Sequence, residues 1–144
     1  MAVLRHDDLV VPIPPDWEDG SQLVIVGKDD GGFRPNMVIS RDQAEGRSIE
    51  GFVQHHLPML KQALQEYEPV DQRPERFGAT QGFLVEHTFV ANSVRLHQIQ
   101  FHVLVGGNVF TFTGTHLADR FETVRPMMTE VIGRTRLGMD TFMA

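Results

Sequence analysis

Between residues 8 and 40 the apolar positions come in short β-branched runs separated by turn residues, a pattern of strands. Residues 8–13 read as a first strand stopped by Pro14-Pro15, with a turn at Asp16-Trp17-Glu18-Asp19-Gly20. Residues 21–26 (SQLVIV) read as a second strand, and residues 36–40 (NMVIS) as a third after a polar loop through Asp29-Asp30-Gly31-Gly32. The period then lengthens. Ser48 is placed to cap a helix in which Ile49, Phe52, Val53, His56, Leu57, Leu60 and Leu64 recur at helical spacing. Pro58 removes one internal hydrogen bond from that helix, so a kink or break is expected near His55.

From Tyr67 onward the alternation of strands returns, over residues 68–76, 82–90, 94–105 and 108–114, with hairpin connections at Asn92-Ser93 and Gly106-Gly107-Asn108. Residues 117–136 revert to helical spacing through Phe121, Val124, Met128, Val131 and Ile132, with Pro126 in the middle and Gly138 as a stop. Nothing alternates as a βαβ run would, and neither a repeat nor a linker divides the chain. The expectation is a single α+β domain over residues 1–144, an antiparallel sheet of about six to seven strands packed with two helices.

Side chains alternate across a strand, so each run also states what it offers to either face. In residues 94–105 the odd positions His97, Ile99, Phe101, Val103 and Val105 make a core face. The even positions Val94, Leu96, Gln98, Gln100, His102 and Leu104 mix aliphatic residues with uncharged amides, where a solvent face would carry Lys, Glu or Asp. Leu23 and Ile25 oppose Val24 and Val26, and Val38 opposes Met37 and Ile39, so these two strands are apolar on both faces. Two helices cover one face of such a sheet, or part of each. The remaining apolar surface meets a second copy of the chain or an apolar ligand. The plainer alternative is that the first helix buries Val24, Val38 and Leu96.

Composition narrows the classes. The net charge of -6 arises from 19 acidic and 13 scattered basic residues, which disfavours nucleic acid as a partner. With no cysteine the chain has no disulfide scaffold, thiolate zinc site or cysteine nucleophile. The N-terminus reaches Arg5, His6, Asp7 and Asp8 without an apolar stretch, and no run approaches the roughly 20 residues of a spanning helix. A soluble cytoplasmic protein that does not insert into membranes is expected.

Seven histidines raise the question of metal or catalysis. His55 and His56 are adjacent and lack the i, i+4 spacing of a helical zinc pair, and HExxH, GxSxG, P-loop and GxGxxG motifs are all absent. His102 or Glu86 would serve as a general acid or base, but nothing in their spacing selects them. No enzyme activity, metal or cofactor is expected.

Asp8-Leu9 before a proline turn, Trp17, Val38-Ile39-Ser40-Arg41-Asp42, the helix after Ser48 and Leu96-His97-Gln98-Ile99 resemble, in order and spacing, the DcrB-related family. Within it they look most like the Eag chaperones of type VI secretion effectors. The resemblance implies a PsbP-like fold and a homodimer that shields the hydrophobic N-terminal transmembrane segments of an effector carrying PAAR or Rhs regions. It also implies a groove formed by Val24 and Val38 on the sheet, His56, Leu60 and Leu64 on the helix, and Val94, Leu96 and Gln98 on the long strand, with Gln98 bonding to the client backbone. Gln22 departs from an expected isoleucine, and His56 from an expected second glutamine. The competing readings are a DcrB-related regulatory or structural module with a soluble partner, and a small hydrolase or ligand carrier using the histidines.

Overall fold

The structure, a computed structural model, describes residues 2–137; Gly138, read as a helix stop, lies outside them. The chain opens with strands β1 (Ala2–His6) and β2 (Leu9–Ile13), then β3 (Leu23–Val26), β4 (Asn36–Gln43) and helix α1 (Ile49–Ala63). Four long strands follow, β5 (Gln65–Phe77), β6 (Thr80–Ala91), β7 (Val94–Val105) and β8 (Asn108–Leu117), before helix α2 (Phe121–Arg134). Six strands form one antiparallel sheet in the order β3-β4-β8-β7-β6-β5. The chain thus leaves β4, crosses the sheet through α1 to the far edge, and meanders back until β8 lies beside β4.

Three elements differ from the sequence pattern. Residues 8–13 do not join the main sheet: β2 pairs with β1 as a separate two-stranded hairpin turning at Asp7, whose φ is 50°. The strand expected at residues 68–76 is longer, and tolerates Pro69 and Pro74 because it is an edge strand with irregular register. Helix α1 runs through Pro58 without a break, so the expected interruption near His55 is absent. Pro58 has no N–H to offer the Gln54 carbonyl, but it is exposed, and Ser48 Oγ caps the first turn by accepting from the Gly51 N–H at 3.0 Å. Leu64, read as helical, is the C-cap residue, in extended conformation.

The main core lies on the α2 side, where Met37, Leu84, Ile99, Phe101, Val103 and Phe112 meet Phe121, Val124, Met128 and Ile132. These are the odd β7 positions and the matching faces of its neighbours. Gly114 lets α2 approach, since a Cβ there would stand 2.6 Å from Met128 Sδ. A buried ion pair clamps the same helix. Arg125 donates to both Glu86 oxygens at 3.1 and 2.6 Å, and His97 completes the set while stacking on Phe121. On the other face α1 buries less, setting Val53 and Leu57 on Phe83 and Val85, and Phe52 on Ala44 and Val109.

Candidate functional site

Helix α1 covers only the β6–β7 part of its face, together with Val109 at the start of β8. Between α1 and the β3 edge a trough remains over β3, β4 and most of β8. Register sets this face in transverse rows that run from the open trough across β7 to the buried residues of β6. One row runs Val24, Val38, Thr113, Gln100, Val85; the next runs Val26, Asn36, Thr115, Gln98, His87. The outer wall is aliphatic and open, with Val24 58% exposed and Val26 similar, whereas the middle is a band of threonine and amide side chains.

That band is wired together. Gln98 Oε1 only accepts, so His87 carries its proton on Nε2, 2.8 Å away, and its Nδ1 faces the Tyr67 hydroxyl at a long 3.5 Å. Gln98 Nε2 donates to Thr115 Oγ1 at 2.9 Å, while Gln100 Nε2 donates to Gln98 Oε1 at 3.3 Å. Burial holds His87 below the usual histidine range and raises Tyr67 above the usual phenol. Both groups are therefore neutral near pH 7, and the network works by hydrogen bonding rather than charge.

Toward the N-terminus of α1 the trough ends in a polar cleft of about 480 Å3 lined by Arg41, Asp42, Arg47, His55 and His56 among others. Behind it His102 sits under Phe52 with Nδ1 2.9 Å from Thr111 Oγ1. Burial, with smaller contributions from His56 and His87, pushes the His102 pKa down to about 4.

All the groove residues read from the resemblance lie on this side of the sheet, but in different settings. Val24 and Val38 are direct ladder partners, Val24 exposed and Val38 half-buried, so α1 does not bury them as the plainer alternative required. Val94 is exposed at the end of β7, and Leu60 is half-buried against the Val53–Leu57 cluster. His56 is half-buried, its ring 4.1 Å from that of Phe52 and its Nδ1 2.8 Å from the Phe52 carbonyl, and Leu64 is half-buried at the helix end. Leu96 is 7% exposed and faces Phe89 across the ladder, which makes it a core residue rather than an open contact. Gln98 is not a free anchor: three of its four hydrogen-bonding positions are used within the network, leaving one amide N–H.

The residues sequence reasoning passed over are Thr111, Thr113 and Thr115, with His87 and Asn36. Their signal was present in Thr111-Phe112-Thr113-Gly114-Thr115, whose strict alternation puts every threonine on one face. Among the described residues no group of three His, Asp or Glu side chains is arranged to hold a metal, and no helix is long and apolar enough to cross a membrane.

An antiparallel sheet with one helix on each face and an open trough beside α1 is the PsbP-like α+β fold. The chain belongs to the DcrB family, whose pattern matches residues 10–133. Among solved structures it is similar to PA94 of Pseudomonas aeruginosa, a protein of unknown function suggested to be a regulator. The TM-score is 0.78 at 17% identity, covering 96% of this chain and 97% of that one. It is also similar to the cyanobacterial PsbP of Synechocystis, with a TM-score of 0.56, 12% identity and coverage of 80% and 82%. LpqN of Mycobacterium tuberculosis, involved in cell envelope biogenesis, gives 0.52, 13%, 93% and 87%. No curated protein matches the chain.

Proposed function

We propose that this DcrB-family chain is a cytoplasmic, homodimeric chaperone. It holds the hydrophobic N-terminal helices of a type VI secretion effector of the PAAR or Rhs kind in the trough beside α1, and it is not an enzyme. The observation that carries this reading is the trough's two-part lining, aliphatic along Val24, Val26 and Val38 and hydrogen-bonding along Thr113, Gln98 and Asn36. Its dimensions suit a helix. Three uncovered strands spaced about 4.8 Å apart span roughly 10–15 Å, and a helix with its side chains is about 10–12 Å across.

The chemistry suits one as well. A membrane helix carries an apolar surface whose removal from water yields roughly 25 cal/mol per Å2. Its small residues leave backbone carbonyls exposed that are satisfied inside a membrane bundle. The aliphatic wall takes the first, and the remaining Gln98 N–H and the half-buried Thr113 hydroxyl are donors for the second. The polar share of the floor also favours a second reading, a DcrB-family regulatory or structural module with a soluble partner.

Co-expression with the N-terminal segment of a neighbouring effector gene decides between them. A soluble complex of chaperone and segment is the expected result; a segment that precipitates while the protein stays soluble favours the soluble-partner module. Val38→Asp and Val24→Asp place a carboxylate in the aliphatic wall without entering the closed core. Each is expected to lower recovery of the segment about tenfold or more while the melting temperature of the free protein stays within about 2 °C. Leu96→Asp is unsuitable as a groove probe, because a carboxylate at that buried position unfolds the protein.

A further inference from the structure

One side chain from each of four neighbouring strands joins the hydrogen-bonded chain along the inner side of the trough: Tyr67 of β5, His87 of β6, Gln98 of β7 and Thr115 of β8. His87, Gln98 and Thr115 follow from register, being successive ladder partners. Tyr67 does not. The direct β5 partner of His87 is Pro69, and Tyr67 reaches the ring through an irregularity of the ladder between Gln65 and Glu68, where Glu66 takes a φ of 50°. A bulge of this kind re-aims a side chain, and a non-glycine residue adopts the left-handed region at a cost.

What the bulge secures is a direction. Nδ1 of His87 faces the Tyr67 hydroxyl at a long 3.5 Å with the rings 4.9 Å apart, while Nε2 lies 2.8 Å from Gln98 Oε1. An amide oxygen only accepts, so the imidazole proton is on Nε2, and Nδ1 is left to accept from the phenol. Complete burial, with the Phe89 ring 6.0 Å away, holds the imidazole in that orientation. A glutamine amide keeps its shape when turned by half a revolution, so its partners alone decide which end faces outward. Here Oε1 is turned inward to His87 and also accepts from Gln100, and the NH2 group points the other way, toward Thr115 Oγ1 at 2.9 Å and the trough.

We infer that Tyr67 and His87 are positioning residues that lock the Gln98 amide with its N–H outward, so that the trough offers a donor at this point and selects segments that present a free acceptor. The acceptors of an apolar helix are the backbone carbonyls bared where its residues are small. The inference deepens the chaperone reading and rests on it for the identity of the occupant. The locked amide is a property of the free protein and is measured without one.

Long-range 1H–15N spectra of the labelled free protein are expected to show His87 as the Nε2–H tautomer, with a Gln98 amide proton in contact with Thr115. Tyr67→Phe should let His87 sample both tautomers. His87→Leu should abolish the Gln98 contact with Thr115, and His87→Gln, whose amide can donate from the place of Nε2, should restore it. Capture is then compared for two synthetic apolar segments of about 20 residues, one with a Gly-x-x-x-Gly face and one with leucine at those positions. His87→Leu is expected to lower recovery of the glycine-faced segment about tenfold and of the leucine segment less than about twofold, with His87→Gln close to wild type.

An Nδ1–H tautomer in the wild type overturns the inference, as does a Gln98 amide that keeps its Thr115 contact in His87→Leu. Equal losses for both segments also overturn it, since a merely structural His87 would give them. If His87→Leu fails to fold, Tyr67→Phe decides: an unshifted tautomer overturns the inference, and mixed tautomers with an about two- to threefold loss confined to the glycine-faced segment support it. A locked amide in a protein that captures neither segment removes the chaperone reading alone.

Discussion

His102 is neutral in the fold down to about pH 4, although an unfolded histidine takes up its proton near 6.5. As pH falls the unfolded chain protonates first. The stability present above pH 6.5 is therefore lost as pH drops from 6.5 toward 4, about 2 kcal/mol of it between pH 7 and pH 5. Denaturant titrations at those two values should show the loss, and His102→Gln, which keeps a partner for Thr111, should reduce it. Glu86 adds to acid sensitivity at lower pH. Burial pushes its carboxyl up, but Arg125 and His97 more than offset this and hold it below the usual range, so its contribution fades as pH falls through that depressed value. Arg125→Ala leaves the carboxylate buried with His97 alone. Because Arg125 is itself about one-third exposed, the expected cost is about 2 kcal/mol, and adding Glu86→Gln should recover part of it. None of these partnerships is legible from spacing, because each joins residues 9 to 39 positions apart through the register of the sheet.

At the level of elements the reading worked where one period ran long enough. The even face of β7 supplies the Gln98 and Gln100 amides that border the trough, and the two-sided apolar character of β3 and β4 is what leaves Val24 exposed and Val38 half-buried. It failed on β1, where Arg5 and His6 hid a strand whose faces are mostly exposed, and on Pro58, where a local penalty was weighed without the packing that offsets it. Val53 and Leu57 hold α1 on the sheet through the missing hydrogen bond. Pro58→Ala should therefore raise stability, by up to about 3 kcal/mol, with α1 otherwise unchanged; a thermal melt measures it. Gly114→Ala should do the reverse. Met128 must give way beneath it and Ile99 is 3.4 Å off, an overpacking cost of about 1–2 kcal/mol read from the same melt.

For the whole molecule, the arrangement least visible in the sequence is the strand order. Composition and period gave α+β and the approximate size of the main sheet, but nothing local says that β4 pairs with β8 or that α1 carries the chain from one side of the sheet to the other. Those are long-range matches decided by which faces are apolar. In the proposed homodimer, stability depends on concentration. The melting temperature of the native chain should then rise with each tenfold increase in protein, which thermal melts at two concentrations measure.

The make-up of the edge strand β5 bears on how far such a sheet can extend. A sheet with one receptive edge joins one neighbour and stops, whereas a sheet with two would add copies head to tail into a filament. Pro69 and Pro74 supply no N–H to an incoming strand, and Glu68, Asp71, Arg73 and Glu75 would have to shed their hydration along it. Those few residues close that edge to pairing, so any pairing through the charge-free β3 edge cannot propagate.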